Sequence, residues 1–121
     1  MDIRLHPMEG YMRVEASGPY DGSAGREAIR LIRSECARAG ITRVLVDARG
    51  LDAAVSVSER FELARALADG CTAAVRYAIL VHPAQLVTKT LEDSAINRGV
   101  PVQTTASLEE AYGFLGIAPP G

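Results

Sequence analysis

The hydrophobic pattern of this chain switches repeatedly between the strand period and the helix period, and this switching limits its fold more than any other feature. Two short alternating segments, 2–6 and 11–16, come first. From about residue 24 onward, helix-like and strand-like segments follow each other to the end of the chain. The predicted order is β-β-α-β-α-β-α-β-α. Strands and helices that alternate in this way form a mostly parallel sheet with helices on its faces.

The first two strands are predicted to form a hairpin. Pro7 and Gly10 bound a four-residue connection, and a connection of this kind makes the two strands antiparallel. The strand at 43–47 is apolar at consecutive positions, which is typical of strands covered on both faces. We therefore predict a single mixed, mostly parallel sheet of four to five strands with an N-terminal β-hairpin and four flanking helices, in one domain spanning residues 1–121.

The four predicted helices carry recognisable start and stop signals. The first, at 24–39, has an apolar stripe and ends at Gly40. The second opens with a Ser-Val-Ser-Glu capping box at 56–59, the third covers 84–97, and the last opens with a second capping box at 107–110. The stripe of the first helix consists of Ala28, Ile29, Ile32 and Cys36.

Composition excludes several classes of protein. With 48% hydrophobic and 23% charged residues, the chain has the make-up of a globular domain. A net charge of −2 disfavours a nucleic-acid partner. Its apolar runs are far shorter than the ~20 residues of a membrane helix, and no signal peptide opens the chain, so we expect a cytoplasmic protein without membrane insertion. Cys36 and Cys71 are interpreted as core residues.

Ligands of open α/β sheets collect beyond the carboxyl ends of the strands. Four polar residues lie near predicted strand ends there: Tyr20, Asp47, Arg49 and His82. They are the candidates for a ligand pocket.

Enzyme signatures are missing from the sequence. Ser58, His82 and Asp47 have the residue types of a hydrolase triad, but Ser58 lies in an ordinary helix start without Gly-x-Ser-x-Gly around it. The sequence also lacks metal-binding spacings such as C-x-x-C and H-x-x-x-H, and it lacks phosphate-loop and dinucleotide fingerprints. We therefore predict no catalytic residue, no metal and no cofactor.

Two serines near the start of the second predicted helix are candidates for phosphorylation or partner binding. Ser56 is the expected N-cap, a role that accounts for it without any further function. Ser58 lies further into the helix and has no capping role, so it is the better candidate for a switch.

The end of the third predicted helix offers interface candidates. Ile96 falls outside the apolar stripe of that helix and could mark a partner surface, although single exposed apolar residues are common. Arg98 could bind a carboxylate of a partner. An edge strand and Ile96 together allow a symmetric homodimer without requiring one.

Several segments, taken together, resemble a known family. They are R-V-L-V-D-A-R-G-L at 43–51, R-Y-A-I-L-V at 76–81, N-R-G-V-P-V at 97–102 and S-L-E-E-A-Y-G-F-L at 107–115. In this order, with the hairpin, the Arg-rich first helix and the Ser-capped second helix, they resemble the small bacterial SpoIIAA-like proteins of the STAS-domain class (sulfate transporter and anti-sigma-factor antagonist), which are also grouped with SEC14-like folds.

The resemblance implies a sheet flanked by helices and usually no catalysis. Antagonists of this class bind an anti-sigma kinase and are regulated at a serine that opens the second helix. That position corresponds to 55–58 here, where the family pattern Asp-Ser-Ser/Thr-Gly is replaced by Ser-Val-Ser-Glu over 56–59.

Two functions follow as expectations. The first is a non-catalytic cytosolic regulatory or protein-interaction module, with an unknown protein partner and a switch at the start of the second helix. The alternative is a small-ligand or lipid-binding protein of SEC14-like type with a pocket at the carboxyl ends of the strands, and an enzyme is the third option. Partner binding by a Ser58→Glu variant tests the switch of the first function. A small molecule that co-purifies with the chain would favour the second function.

Overall fold

The sheet and two helices can be followed in a computed structural model of the chain. It describes residues 1–51, 58–59, 62, 65–66, 75–83 and 101–117. The strands are β1 (Asp2–Met8), β2 (Tyr11–Gly18), β3 (Arg43–Leu51), β4 (Arg76–Leu80) and β5 (Val102–Thr105). The complete helices are α1 (Gly22–Ala39) and α2 (Leu108–Leu115).

One five-stranded sheet organises the fold, in the order β1-β2-β3-β4-β5. Strand β1 runs antiparallel to β2, and each of the remaining neighbours is parallel. This confirms the predicted mixed, mostly parallel sheet with an N-terminal hairpin. Strand β5 lies at an edge of the sheet and follows Pro101, a position that suits proline because its nitrogen cannot donate a hydrogen bond to a neighbouring strand.

The hairpin connection is shorter than predicted. Met8 pairs with Tyr11, so only Glu9 and Gly10 connect the strands instead of four residues. Pro7 belongs to β1, where an edge strand tolerates its missing N–H group. Gly10 has a φ of 84°, a left-handed conformation that glycine adopts without steric cost.

Of the four predicted helices, the first and the last are described as complete elements. The second is described at five positions, all helical: Ser58, Glu59, Glu62, Arg65 and Ala66. The third, at 84–97, lies outside the described residues, as does Cys71.

Helix α1 covers one face of the sheet. The Asp21 carboxylate caps it by accepting hydrogen bonds from the backbone N–H groups of Ser23 and Ala24, and Gly40 ends it with a φ of 69°. The predicted stripe is buried. It packs on a core cluster that includes Met12, Val14, Val44, Tyr77 and Val102 from the sheet.

Helix α2 covers part of the opposite face, packing on β3, β4 and β5. The cluster beneath it consists of Tyr11, Leu45, Ala78, Ala111, Tyr112 and Leu115. Tyr11 and Tyr112 meet edge to face, with ring centroids 6.0 Å apart and ring planes at 83°. Their contact fixes α2 beside the start of β2.

Of the two hydrogen bonds that make up the capping box predicted at 107–110, one forms and the other is replaced. Ser107 Oγ accepts the Glu110 backbone N–H at 3.2 Å, as a capping serine should. The Ser107 N–H group, however, donates to Thr105 Oγ1 at 3.0 Å, and the Thr105 hydroxyl donates to the Glu110 carboxylate at 2.7 Å. The buried Thr105 hydroxyl therefore bridges the Ser107 N–H group and the Glu110 carboxylate, which would bond directly in a complete capping box. Sequence spacing alone does not reveal this bridge.

Candidate functional site

Charged side chains occupy the part of the sheet face that lies beside α2. Side chains of a strand alternate between faces, so one face receives Arg4 from β1, Arg13 and Glu15 from β2, and Asp47 and Arg49 from β3. They line a groove of about 500 Å³ together with Ala16, Ser17 and Gly50. We call it the charged groove.

Asp47 and Arg49 form the tightest interaction in the charged groove. Arg49 Nε lies 3.0 Å from Asp47 Oδ1, Arg49 Nη2 lies 2.9 Å from Oδ2, and the Arg49 backbone N–H also donates to Oδ1 at 3.1 Å. The hydrogen bonds from Arg49 lower the pKa of Asp47, with the charge of Arg13 assisting and burial opposing. Asp47 is therefore ionised at neutral pH and fixes the Arg49 side chain by a bidentate contact.

A β-bulge shapes the base of the groove. Glu15 pairs with Asp47, but Ser17 pairs with Gly50, so β3 contains one extra residue between these two pairs. A Cβ atom at Gly50 would lie 3.0 Å from the Ala16 carbonyl oxygen and from Ser17 Cβ. Glycine therefore allows the close approach of β2 and β3 beyond the bulge.

Arg13 lies between the two carboxylates without a short contact to either. Its Nη2 atom is 3.8 Å from Asp47 Oδ2 and 3.5 Å from Glu15 Oε1. Its Nε atom is buried and has no hydrogen-bond partner among the described residues. His6 Nε2 lies 3.7 Å from Glu15 Oε1 on the outer side of this cluster. The Arg13 guanidinium group thus retains donor capacity.

The charged groove contains two of the four predicted pocket residues, Asp47 and Arg49, whereas Tyr20 and His82 are outside its lining. Tyr20 is half-buried just before the Asp21 cap of α1, and His82 is exposed just after β4. Burial raises the pKa of Tyr20, and the negative charge of Glu59 raises it further. Tyr20 is therefore electrostatically coupled to the start of the second predicted helix, not to the groove.

Ser58 lies in that helical segment and is exposed. The Arg33 guanidinium group donates to the Ala66 carbonyl oxygen, which connects α1 with the same segment. Ser56, Ile96 and Arg98 lie outside the described residues. Their predicted roles in capping, phosphorylation or partner binding stay predictions.

The sequence interpretation missed Arg4, Arg13, Glu15 and Ser17 as groove residues. Their signal was available, because the alternation of β1 and β2 places every second residue on one face. It becomes informative only when β2 is known to lie beside β3, which brings these charges next to Asp47. Among the described residues, no group of three His, Cys, Asp or Glu side chains could hold a metal ion.

Two solved structures are similar to this chain over nearly its whole length. An anti-sigma factor antagonist from Mycobacterium paratuberculosis matches with a TM-score of 0.65 and 13% identity, covering 95% of this chain and 93% of the other. The anti-sigma factor antagonist SpoIIAA in its unphosphorylated form matches with a TM-score of 0.50 and 21% identity, covering 93% and 96%.

The chain has a SpoIIAA-like STAS fold. The resemblance predicted from the sequence motifs is thereby confirmed for the fold. No family model and no curated protein matches the sequence. Within the described part of the chain, no helix is long and apolar enough to cross a membrane.

Proposed function

We propose that this chain is a non-enzymatic regulatory module of the cytoplasm that binds a protein partner of the anti-sigma factor class. One observation carries the proposal: the SpoIIAA-like STAS fold spans more than nine-tenths of both this chain and two anti-sigma factor antagonists. A shared fold over more than nine-tenths of both chains supports a shared kind of function.

The proposed contact surface is the start of the second predicted helix together with the β2–α1 connection. Ser58 is exposed on the helical segment, and Glu59 acts electrostatically on Tyr20, which precedes the α1 cap. This electrostatic effect supports the proposal that the two elements contribute to one surface. An anti-sigma factor that bound there would contact both.

Phosphorylation of Ser58 is the proposed switch, with Ser56 as the second candidate. A phosphate group adds a charge of about −1.5 to −2 to the surface. Glu59 is already acidic and adjacent, so the added charge would oppose binding of an acidic partner surface and change the contact of any partner. The proposal therefore predicts that a negative charge at Ser58 weakens binding.

The test is a calorimetric titration of the purified chain with each anti-sigma factor of the source organism. The variants are Ser58→Ala, Ser58→Glu and the control Ser34→Glu, which places the same charge on an exposed serine of α1. We expect at least one anti-sigma factor to bind the unmodified chain, Ser58→Ala and Ser34→Glu alike. Ser58→Glu should weaken that binding at least tenfold, which is about 1.4 kcal/mol.

The two parts of the proposal fail separately. If no anti-sigma factor binds the unmodified chain, the module hypothesis is wrong. If one binds and Ser58→Glu binds it equally well, the partner class stands and the switch at Ser58 is wrong.

A symmetric homodimer through Ile96 and Arg98 is a further part of this proposal. Light scattering on the purified chain measures its mass directly. An Ile96→Asp variant should convert a dimer to a monomer if Ile96 lies in the interface, and an unchanged dimer would exclude that position.

A further inference from the structure

We propose that the charged groove binds a small organic oxyanion, a phosphate or carboxylate compound, through Arg4 and Arg13. This goes beyond the proposed function, which places the protein partner elsewhere on the chain. The inference rests on four features: uncommitted guanidinium donors, their fixed support, the charge balance of the groove, and its size and lining.

Two arginines of the groove have donors that the described residues do not use. Arg4 is exposed, and no carboxylate among the described residues forms an ion pair with it. Arg13 contacts carboxylates only at 3.5 and 3.8 Å, longer than the 2.7–3.2 Å of an N–H···O hydrogen bond, and its Nε is buried without an acceptor in the described part of the chain. The Arg13 side chain as a whole is 39% exposed, so its terminal N–H groups, and not the buried Nε, are the donors that a ligand in the groove can reach.

The Asp47–Arg49 pair supports the site. Asp47 binds Arg49 through both carboxylate oxygens, so this carboxylate is largely occupied and repels an incoming anion less than a free one would. The same contacts hold Arg49 along one wall of the groove. Asp47 therefore holds Arg49 in the wall of the groove, and Arg4 and Arg13 supply the contacts to the ligand.

The charge balance favours an anion. Among the described lining residues, three arginines and two carboxylates leave a net charge of +1. Arginine is suited to phosphate and carboxylate because its planar donors match their oxygens in pairs. A neutral ligand would leave Arg4 without a charged partner and would leave Arg13 with only its two longer contacts to Glu15 and Asp47.

The volume and lining residues of the charged groove favour an anion that carries a small polar organic group. The volume of about 500 Å³ lies within the roughly 300–1,000 Å³ of small-molecule pockets and exceeds what a bare ion fills. Among the described residues that line the groove none is aromatic, and the alternation that places Arg13 and Glu15 in the groove turns the buried Ala16 side chain to the α1 face. A nucleobase would find no ring to stack on, and an acyl chain would find no apolar wall.

The test is a titration of the isotope-labelled chain followed by the backbone amide NMR signals of Ser17 and Gly50. The probes are glycerol 3-phosphate, succinate, inorganic phosphate and, as the neutral control, glycerol. We expect saturable shifts with glycerol 3-phosphate or succinate and none with glycerol. Arg4→Gln and Arg13→Gln should each raise the Kd at least tenfold. Arg30→Gln, an exposed arginine on α1, should leave it within twofold.

Three outcomes would overturn the proposal. They are no saturable shift with either organic anion, equal Kd values in Arg4→Gln and the unmodified chain, and equal affinity for inorganic phosphate, since the organic body would then add nothing. Arg4 is exposed, so its variant should keep a dispersed amide spectrum even if Arg13→Gln does not fold. Failure here leaves the titration with anti-sigma factors unaffected, since the two experiments use different ligands and variants.

Discussion

The two halves of one sheet face differ sharply in this molecule. Under α2, Tyr11 and Leu45 of β2 and β3 are buried against apolar side chains of the helix. Two residues further along the same strands, beside α2, the same face carries Arg13 and Asp47 in the charged groove. We call the first region the packed half and the second the open half. The strands and their spacing are shared, so the difference lies in what covers them.

The comparison separates stability from binding. Apolar area removed from water is the main stabilising contribution, and the packed half supplies it on this face. Charged pairs at the surface contribute little to stability, because solvent screens them. The open half therefore adds little to the free energy of unfolding, and its charges are free to serve recognition.

The largest expected effect comes from the packed half. Leu115 is 2% exposed, and Leu115→Ala should lower the free energy of unfolding by about 2–5 kcal/mol because it leaves a cavity under α2. Leu108 lies on the same helix and is 41% exposed, so Leu108→Ala should change the free energy of unfolding by less than about 0.5 kcal/mol. Urea denaturation of both variants measures the difference. Similar losses in the two would mean that α2 does not bury its face as described.

A smaller effect is expected from Asp47→Asn in the open half. Loss of the charged hydrogen bonds to Arg49 should lower the free energy of unfolding by about 1 kcal/mol at neutral pH. The effect is small because solvent screens the exposed Arg49 side chain. The folded-state pKa of Asp47 is lowered, so its stabilisation is complete above the unfolded pKa of about 3.9 and is lost as pH falls through the folded pKa.

Denaturation of the unmodified chain and Asp47→Asn at several pH values tests this sign. The difference in their free energies of unfolding should be constant near neutral pH and should disappear below about pH 4. A gap that widened on acidification would show that the pKa of Asp47 is raised by folding, contrary to the arrangement described.

The smallest effect on stability is expected for Arg4→Gln. The side chain is exposed and has no ion pair among the described residues, so the free energy of unfolding should change by less than about 0.5 kcal/mol. The same variant should lose oxyanion binding. A loss of more than about 1 kcal/mol in the free energy of unfolding would instead assign Arg4 a structural role. The open half would then contribute to stability as the packed half does.

The sequence predicted the fold well because periodicity reports which side of an element faces the core. The stripe of α1, the antiparallel first strand and the Gly40 stop all follow from local patterns, and the structure confirms them. The hairpin connection was wrong by two residues because an edge strand accepts Pro7, which local rules assign to a turn.

The candidate site was only half predictable for a different reason. The rule that ligands lie beyond the carboxyl ends of strands identifies an end of the sheet but not a face. It therefore selected Tyr20 and His82 together with Asp47 and Arg49, although only the last two line the charged groove. Finding Arg4 and Arg13 required the strand order, which depends on contacts between distant segments of the chain.

Binding of an anti-sigma factor is the function that we propose for this SpoIIAA-like STAS fold. The most direct measurement adds the purified chain to each preformed complex of a sigma factor with its anti-sigma factor from the source organism, and follows free sigma factor by gel filtration. We predict that one complex releases its sigma factor, and that Ser58→Glu releases at least tenfold less sigma factor at the same concentration. If every complex stays intact while the chain elutes alone, the chain does not act on anti-sigma factors and the proposed function is wrong.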